Sequence, residues 1–255
     1  MKVQYASDLH LEMPVNRAWM ELNPLIPKAD VLILAGDILY LRDEHYTFKL
    51  LDIWSSEFEQ VYIVPGNHEF YGRSFPLKET FPSFRLPIRR NVTYLNNQSV
   101  TIENVRFIFS TLFTHIKYPE VIVNRMNDFH TIHYESDSFL SLEVSQYNEC
   151  HANCVAYLEK ELSSHSGKQV VISHHAPYPG ELVGFPFETS RGEAYHVDLL
   201  DFCDKHKVSH WISGHTHMNK GSFEVNGTSF HSNQLGYVYQ DQHHNFKRDA
   251  ILDIN

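Results

Sequence analysis

The runs Asp30 to Ala35 and Val61 to Val64 are nearly all apolar and largely β-branched, and they stop at Gly36-Asp37 and at Pro65-Gly66. Continuous apolar runs of this kind mark strands covered on both faces, which confines the chain to folds with a buried sheet. Between them, from about Glu44 to Phe58, the residues Phe48, Leu50, Leu51 and Trp54 fall on one helical face. A strand, helix, strand alternation predicts parallel neighbours. Sheets of that kind carry their chemistry just beyond the carboxyl ends of their strands. The residues at those ends are therefore the informative part of the sequence.

Five strand ends carry side chains that bind metals or move protons. The first strand, about Val3 to Ala6, runs into Ser7-Asp8-Leu9-His10. With an extended backbone, Asp8 and His10 project the same way and bring a carboxylate and an imidazole to one point. Asp37 follows Gly36, and its two oxygens can bridge two cations. Asn67 and His68 follow Gly66, as a metal ligand beside a proton donor or as turn chemistry closing the strand. Val170 to Ile172 ends at Ser173-His174-His175-Ala176-Pro177, and Ser209 to Ile212 ends at Ser213-Gly214-His215-Thr216-His217.

Alone, each of these is ordinary turn chemistry; their ordered recurrence is not. Asp8, Asp37 and Asn67 supply oxygens, while His10, His68, His174, His215 and His217 supply imidazoles. That mixture suits Mn, Fe or Zn rather than an all-oxygen Ca or Mg cage. Two metals explain the inventory better than one. With Asp37 bridging, each ion has about four protein ligands and keeps positions open for water and substrate.

The remainder supplies framework. Ser99 to Phe109 reads as a hairpin about Glu103-Asn104, Asn226-Gly227 as the turn of another, and Ala250 to Ile254 as a sheet edge. Helical spacing covers Ser138 to Leu162, including Phe139, Cys150 and Cys154, and Glu193 to His206. The Pro-rich stretch from Gly72 to about Asn91 reads as a loop with a short helix, and Ser110 to Phe129 as a polar loop able to line a pocket. Three cysteines give no disulfide framework, and no apolar run is long enough to span a bilayer. A net charge of -10 argues against a surface that grips nucleic-acid phosphates. The expectation is one cytoplasmic domain over residues 1–255, with no nucleic-acid polymer and no membrane as partner.

The motif series from Asp8 to His217 resembles that of the calcineurin-like metallophosphoesterases: Asp-x-His, Gly-Asp, Gly-Asn-His-Glu, a His after a strand, and Gly-His-x-His. Ser-Asp-Leu-His-Leu-Glu, Gly-Asn-His-Glu-Phe-Tyr-Gly, Met-Asn-Asp and His-His-Ala-Pro are similar to those of a bacterial-type group of phosphohydrolases. The resemblance implies an α/β fold, a four-layer αββα sandwich of two mixed sheets flanked by helices. It implies one metal held by Asp8, His10, Asp37 and His217, and a second held by Asp37, Asn67, His174 and His215. His68 is then free of metal and matches the family's proton donor to the leaving group, with Glu69 or Asp8 to orient it.

The implied reaction is attack of a metal-bridging hydroxide on a small phosphomonoester or phosphodiester, nucleotide-derived ones included. Gly36-Asp37-Ile38-Leu39-Tyr40-Leu41 departs from protein phosphatases, which carry a further Asp-Arg there. Arg42, Arg73, Arg125 and Arg191 are the candidates to replace that arginine. A non-catalytic scaffold on the same fold is the main rival, and the retention of every ligand position argues against it.

Overall fold

The structure, a computed structural model, describes residues 1–42, 48–72, 74–81, 83–135, 141–184 and 192–254. Two six-stranded sheets form its centre. In the first, β1 (Lys2–Ala6), β2 (Val31–Ala35), β3 (Gln60–Val64) and β5 (Val92–Asn96) run parallel, with β12 (Ile251–Asp253) and β4 (Phe84–Arg89) as antiparallel edges. In the second, β7 (Val105–Ser110), β8 (Lys168–Ser173), β9 (His210–Ile212) and β11 (Thr228–His231) run parallel, edged by β6 (Gln98–Ile102) and β10 (Phe223–Val225).

The burial explains the layers. Val3, Ile33, Tyr62 and Val64 from the first sheet share one core with Phe107, Phe109, Val170 and Ile172 from the second, so the sheets pack face to face. The alternate residues, Leu32, Leu34, Val61 and Ile63, face outward onto Met20 of the helix Pro14–Leu22 and Leu51 and Trp54 of the helix Lys49–Glu57. Ile108, Val171 and Trp211 meet Tyr147, Cys150, Cys154 and Leu158 of the helix Val144–Ser163 on the opposite outer face. Helix, sheet, sheet and helix follow in that order, as the apolar runs required. Among the described residues no helix is long and apolar enough to cross a membrane.

Three sequence expectations are corrected. Glu193 to Leu199 is not helical, and the helix begins at Leu200. The amides of Val197 and Leu199 donate instead to the carbonyls of Ala176 and Pro177, and Ala176 N–H donates to Tyr195, so this segment is tied to the strand end after β8. The Pro-rich stretch contains β4, whose Pro87 is tolerated because the strand pairs on one side only. The long helix starts after Glu143, which forms a capping box with Gln146, so Leu142 precedes it, while Ser138 and Phe139 lie outside the described residues. Residues 44–47 of the helix expected after Ala35 also lie outside them.

Candidate metal centre

The carboxyl ends of β1, β2, β3, β8 and β9 lie along one edge of the sandwich, and the loops after them converge. Asp8, His10, Asp37, His215 and His217 all adopt left-handed backbone conformations, with φ of 55°, 47°, 54°, 69° and 53°. Non-glycine residues held there are strained, and such strain gathers at functional sites. It also corrects the geometry expected of Asp8 and His10: they meet through a left-handed turn, not along an extended strand. Two glycines make room for the convergence. A Cβ on Gly36 would strike His174 Nδ1 and lie 2.8 Å from the Gly66 amide, and one on Gly66 would strike Asp37 Oδ1.

The side chains form two clusters of hydrogen-bond acceptors. In the first, His10 Nδ1 donates to Glu12 Oε1 at 3.1 Å and His217 Nδ1 donates to Gln242 Oε1 at 2.6 Å. Each ring is thereby left with a bare Nε2, and these two nitrogens face each other at 3.1 Å, with Asp8 Oδ1 3.3 Å from His217 Nε2. Burial and the charge of His68 lower the pKa of His10, which keeps its ring neutral.

In the second cluster, His174 Nδ1 donates to the Ala35 carbonyl and His215 Nε2 to the Ala194 carbonyl. Their remaining nitrogens lie 3.0 Å apart, and His174 Nε2 is also 3.1 Å from Asn67 Oδ1 and 3.4 Å from Asp37 Oδ1. Asp37 faces both clusters, with Oδ2 3.8 Å from His10 Nε2.

Lone pairs packed this closely repel one another unless positive charge lies among them. The field favours such charge: burial works to lower the pKa of His174, but Asp37 outweighs it and raises it to about 9. Asp37 itself stays well below the usual carboxylate range, since the charges of His174 and His68 overcome the cost of its burial. Burial and the neighbouring His175 and His174 hold His215 well below the ordinary histidine value. Carboxylates, an amide oxygen and imidazoles gathered in this way are a donor set that could hold divalent metal, with a cation taking the place of the His174 proton. The candidate ligand atoms of Asp8, His10 and His217, and of Asp37, His174 and His215, lie within 4.8 Å of one another in each trio.

His68 lies beside these clusters in the wall of a cavity of about 400 Å³. Its Nδ1 donates to Glu12 Oε1 at 2.9 Å, and its ring stacks on Tyr71 with centroids 4.3 Å apart. Burial works to lower the His68 pKa, but Asp37 and Glu12 overcome it and raise it to about 10. Glu12, whose burial works against its charge, is held at about 2 by hydrogen bonds from His10 and His68.

Glu12, not Glu69 or Asp8, is thus the group that orients His68. Its signal was in Ser-Asp-Leu-His-Leu-Glu, two residues after His10. Glu69 instead accepts the amides of Asp37, Ile38 and Gly66 at 2.9, 2.8 and 2.7 Å, locking the second and third strand-end turns together. Asp8 accepts the His215 amide at 3.0 Å.

Of the histidine pair after β8, His174 enters the cluster, while His175 turns its Nδ1 to the Thr111 carbonyl at 3.3 Å. Among the arginine candidates, Arg125 lines the cavity, and Arg42 packs over the Tyr40 ring and donates to the Tyr71 carbonyl. Arg73 and Arg191 lie outside the described residues. The polar loop before Phe129 contributes Arg125, Met126, Asn127 and Asp128 to the cavity.

Residues 1–219 match the family model described as calcineurin-like phosphoesterase. The chain is 26% identical over 280 residues to an uncharacterized protein of Acanthamoeba polyphaga mimivirus, covering 99% of this chain and 96% of the other. Its fold is similar to the crystal structure of phosphopantetheinyl hydrolase from Mycobacterium tuberculosis, with a TM-score of 0.70, 16% identity, and coverage of 95% and 92% of the two chains.

Proposed function

The chain belongs to the calcineurin-like phosphoesterase family, and from that premise we propose that it hydrolyses a small phosphomonoester or phosphodiester at a centre of two divalent cations. The observation that carries the reading is the pair of acceptor clusters joined by the two oxygens of Asp37. In this reading Asp8, His10, Asp37 and His217 hold one cation, and Asp37, Asn67, His174 and His215 hold the other. Cations so held supply the positive charge that neutralises phosphate oxygens and acidifies water in the site.

The chain's own residues do the rest. Asp37 fixes the spacing of the two ligand sets by serving both. His68 gives the proton at Nε2 to the departing oxygen, because Nδ1 is committed to Glu12 Oε1, which fixes the ring with its other nitrogen free to act. Tyr71, Tyr195 and Tyr237 in the cavity wall limit the leaving group to a small molecule, and Arg125 at the rim offers it a cation.

Elemental analysis should find two cations per chain, and added Mn should support hydrolysis of a chromogenic monoester or diester. A metal-free protein, inactive on both esters with every divalent metal tried, would sink the enzymatic reading. An active protein with one cation per chain would replace the two-cation reading with a single-metal one.

A further inference from the structure

Asn67 can serve a cation only through its amide oxygen, and an amide can turn either end toward a site. What decides the end is on the other side of the residue. Asn67 Nδ2 donates to Asp128 Oδ1 at 2.8 Å and, at the longer 3.2 Å, to the Tyr71 hydroxyl, which itself donates to the same Asp128 oxygen at 2.7 Å. Asp128 is 1% exposed and lies in the cavity wall at the start of the short helix Asp128–Thr131. An ionised carboxylate accepts and never donates, so Asn67 must present its NH₂ to Asp128 and its oxygen to His174 Nε2, 3.1 Å away. Asp128 belongs to the Met-Asn-Asp stretch, and none of the ligand or proton-donor roles uses it.

We propose that Asp128 is a positioning residue that fixes the amide of Asn67 with its oxygen toward the second acceptor cluster, and so sets that cluster's affinity for a cation. The proposal rests on the two-cation reading above. An alternative, that Asp128 only stabilises the loop before the helix Val144–Ser163, gives different results below.

The test is titration of the metal-free full chain with Mn, followed by calorimetry and by the magnetic-resonance signal of a coupled Mn pair. The wild type takes up two ions and shows the coupled signal. Asp128→Ala keeps the first ion and weakens the second by about tenfold or more, the usual cost of freeing a metal ligand from its orienting partner. Asp128→Leu, which fills the volume without an acceptor, gives the same loss if the alanine variant does not fold. Asp128→Asn, whose carbonyl oxygen can take both donors, stays within about threefold of wild type, a rescue that charge alone would not give. In the Asn67→Ala background, Asp128→Ala costs nothing further, because it acts through the missing amide.

Two Mn ions at wild-type affinity in Asp128→Ala or Asp128→Leu would overturn the positioning role and leave the two-cation reading intact. So would a full additive loss in the double variant, the result expected of a loop stabiliser. A wild type that takes up no second ion would overturn both.

Discussion

Asn67 and His68 are neighbours in the chain, and each is backed by a buried carboxylate from a distant loop. Glu12 backs His68 and Asp128 backs Asn67, and the two carboxylates are used alike: one oxygen takes two donors while the other is buried without a hydrogen-bond partner in the structure. The donors differ. Glu12 meets two imidazoles, whose hydrogen bonds, with the charge of His68, hold it ionised at about 2 against its burial. Asp128 meets an amide and a phenol, and burial wins, raising its pKa despite hydrogen bonds from Tyr71 and Asn67. One arrangement works by charge and the other by direction. Replacing carboxylate by amide separates them, since it removes charge and keeps shape.

The largest effect should come from His68 itself, the group that Glu12 serves. His68→Ala should keep both cations and lower turnover of esters with poor leaving groups by about 10²-fold or more, with a much smaller loss for good leaving groups. Equal losses for both would remove the acid role, and with it the reason for a charged partner at Glu12. Next in size is Glu12→Gln, expected to cost about tenfold on poor leaving groups with metal content unchanged. The pH profile carries the diagnostic. Glu12 raises the His68 pKa, so its loss lowers that pKa, and the alkaline limb where the acid loses its proton should move to lower pH. An unmoved limb would place Glu12 with Asp128, as a director rather than a charge. The matching change, Asp128→Asn, is the one expected to be nearly silent.

The same contrast separates what could be read in the chain from what could not. The strands and their parallel order were legible because Val31–Ala35 and Val61–Val64 are apolar at every position, which only a doubly covered strand tolerates. The helix before Leu200 was misread, because Glu193 to Leu199 was read as continuous with it, whereas backbone groups of this segment pair with the segment after β8. That pairing is tertiary, and periodicity does not encode it. At the site, the residues from Asp8 to His217 were legible through types and spacing near strand ends. Their backing carboxylates were not. Glu12 and Asp128 stand in the motifs Ser-Asp-Leu-His-Leu-Glu and Met-Asn-Asp, but their partners His68 and Asn67 lie 56 and 61 residues away, a pairing that no local spacing marks. The left-handed turns at Asp8 and His10 escaped for the same reason: convergence was expected from an extended strand, and the fold achieves it through strain.

Tyr71 is where the two arrangements touch, and it gives the most discriminating test. Its ring stacks on His68 at an interplanar angle of 25°, while its hydroxyl is bound to Asp128 Oδ1. Tyr71→Phe keeps the ring and removes one of the two donors. Asn67 should then remain directed by Asp128 alone, with second-ion affinity reduced by about threefold, the worth of one hydrogen bond. The ratio of rates for good and poor leaving groups should not change, because the stack on His68 and the bond to Glu12 are untouched. If that ratio moves in Tyr71→Phe, the phenol hydroxyl is communicating with the proton donor. Charge at Glu12 and direction at Asp128 would then be one coupled network, not two devices on adjacent residues.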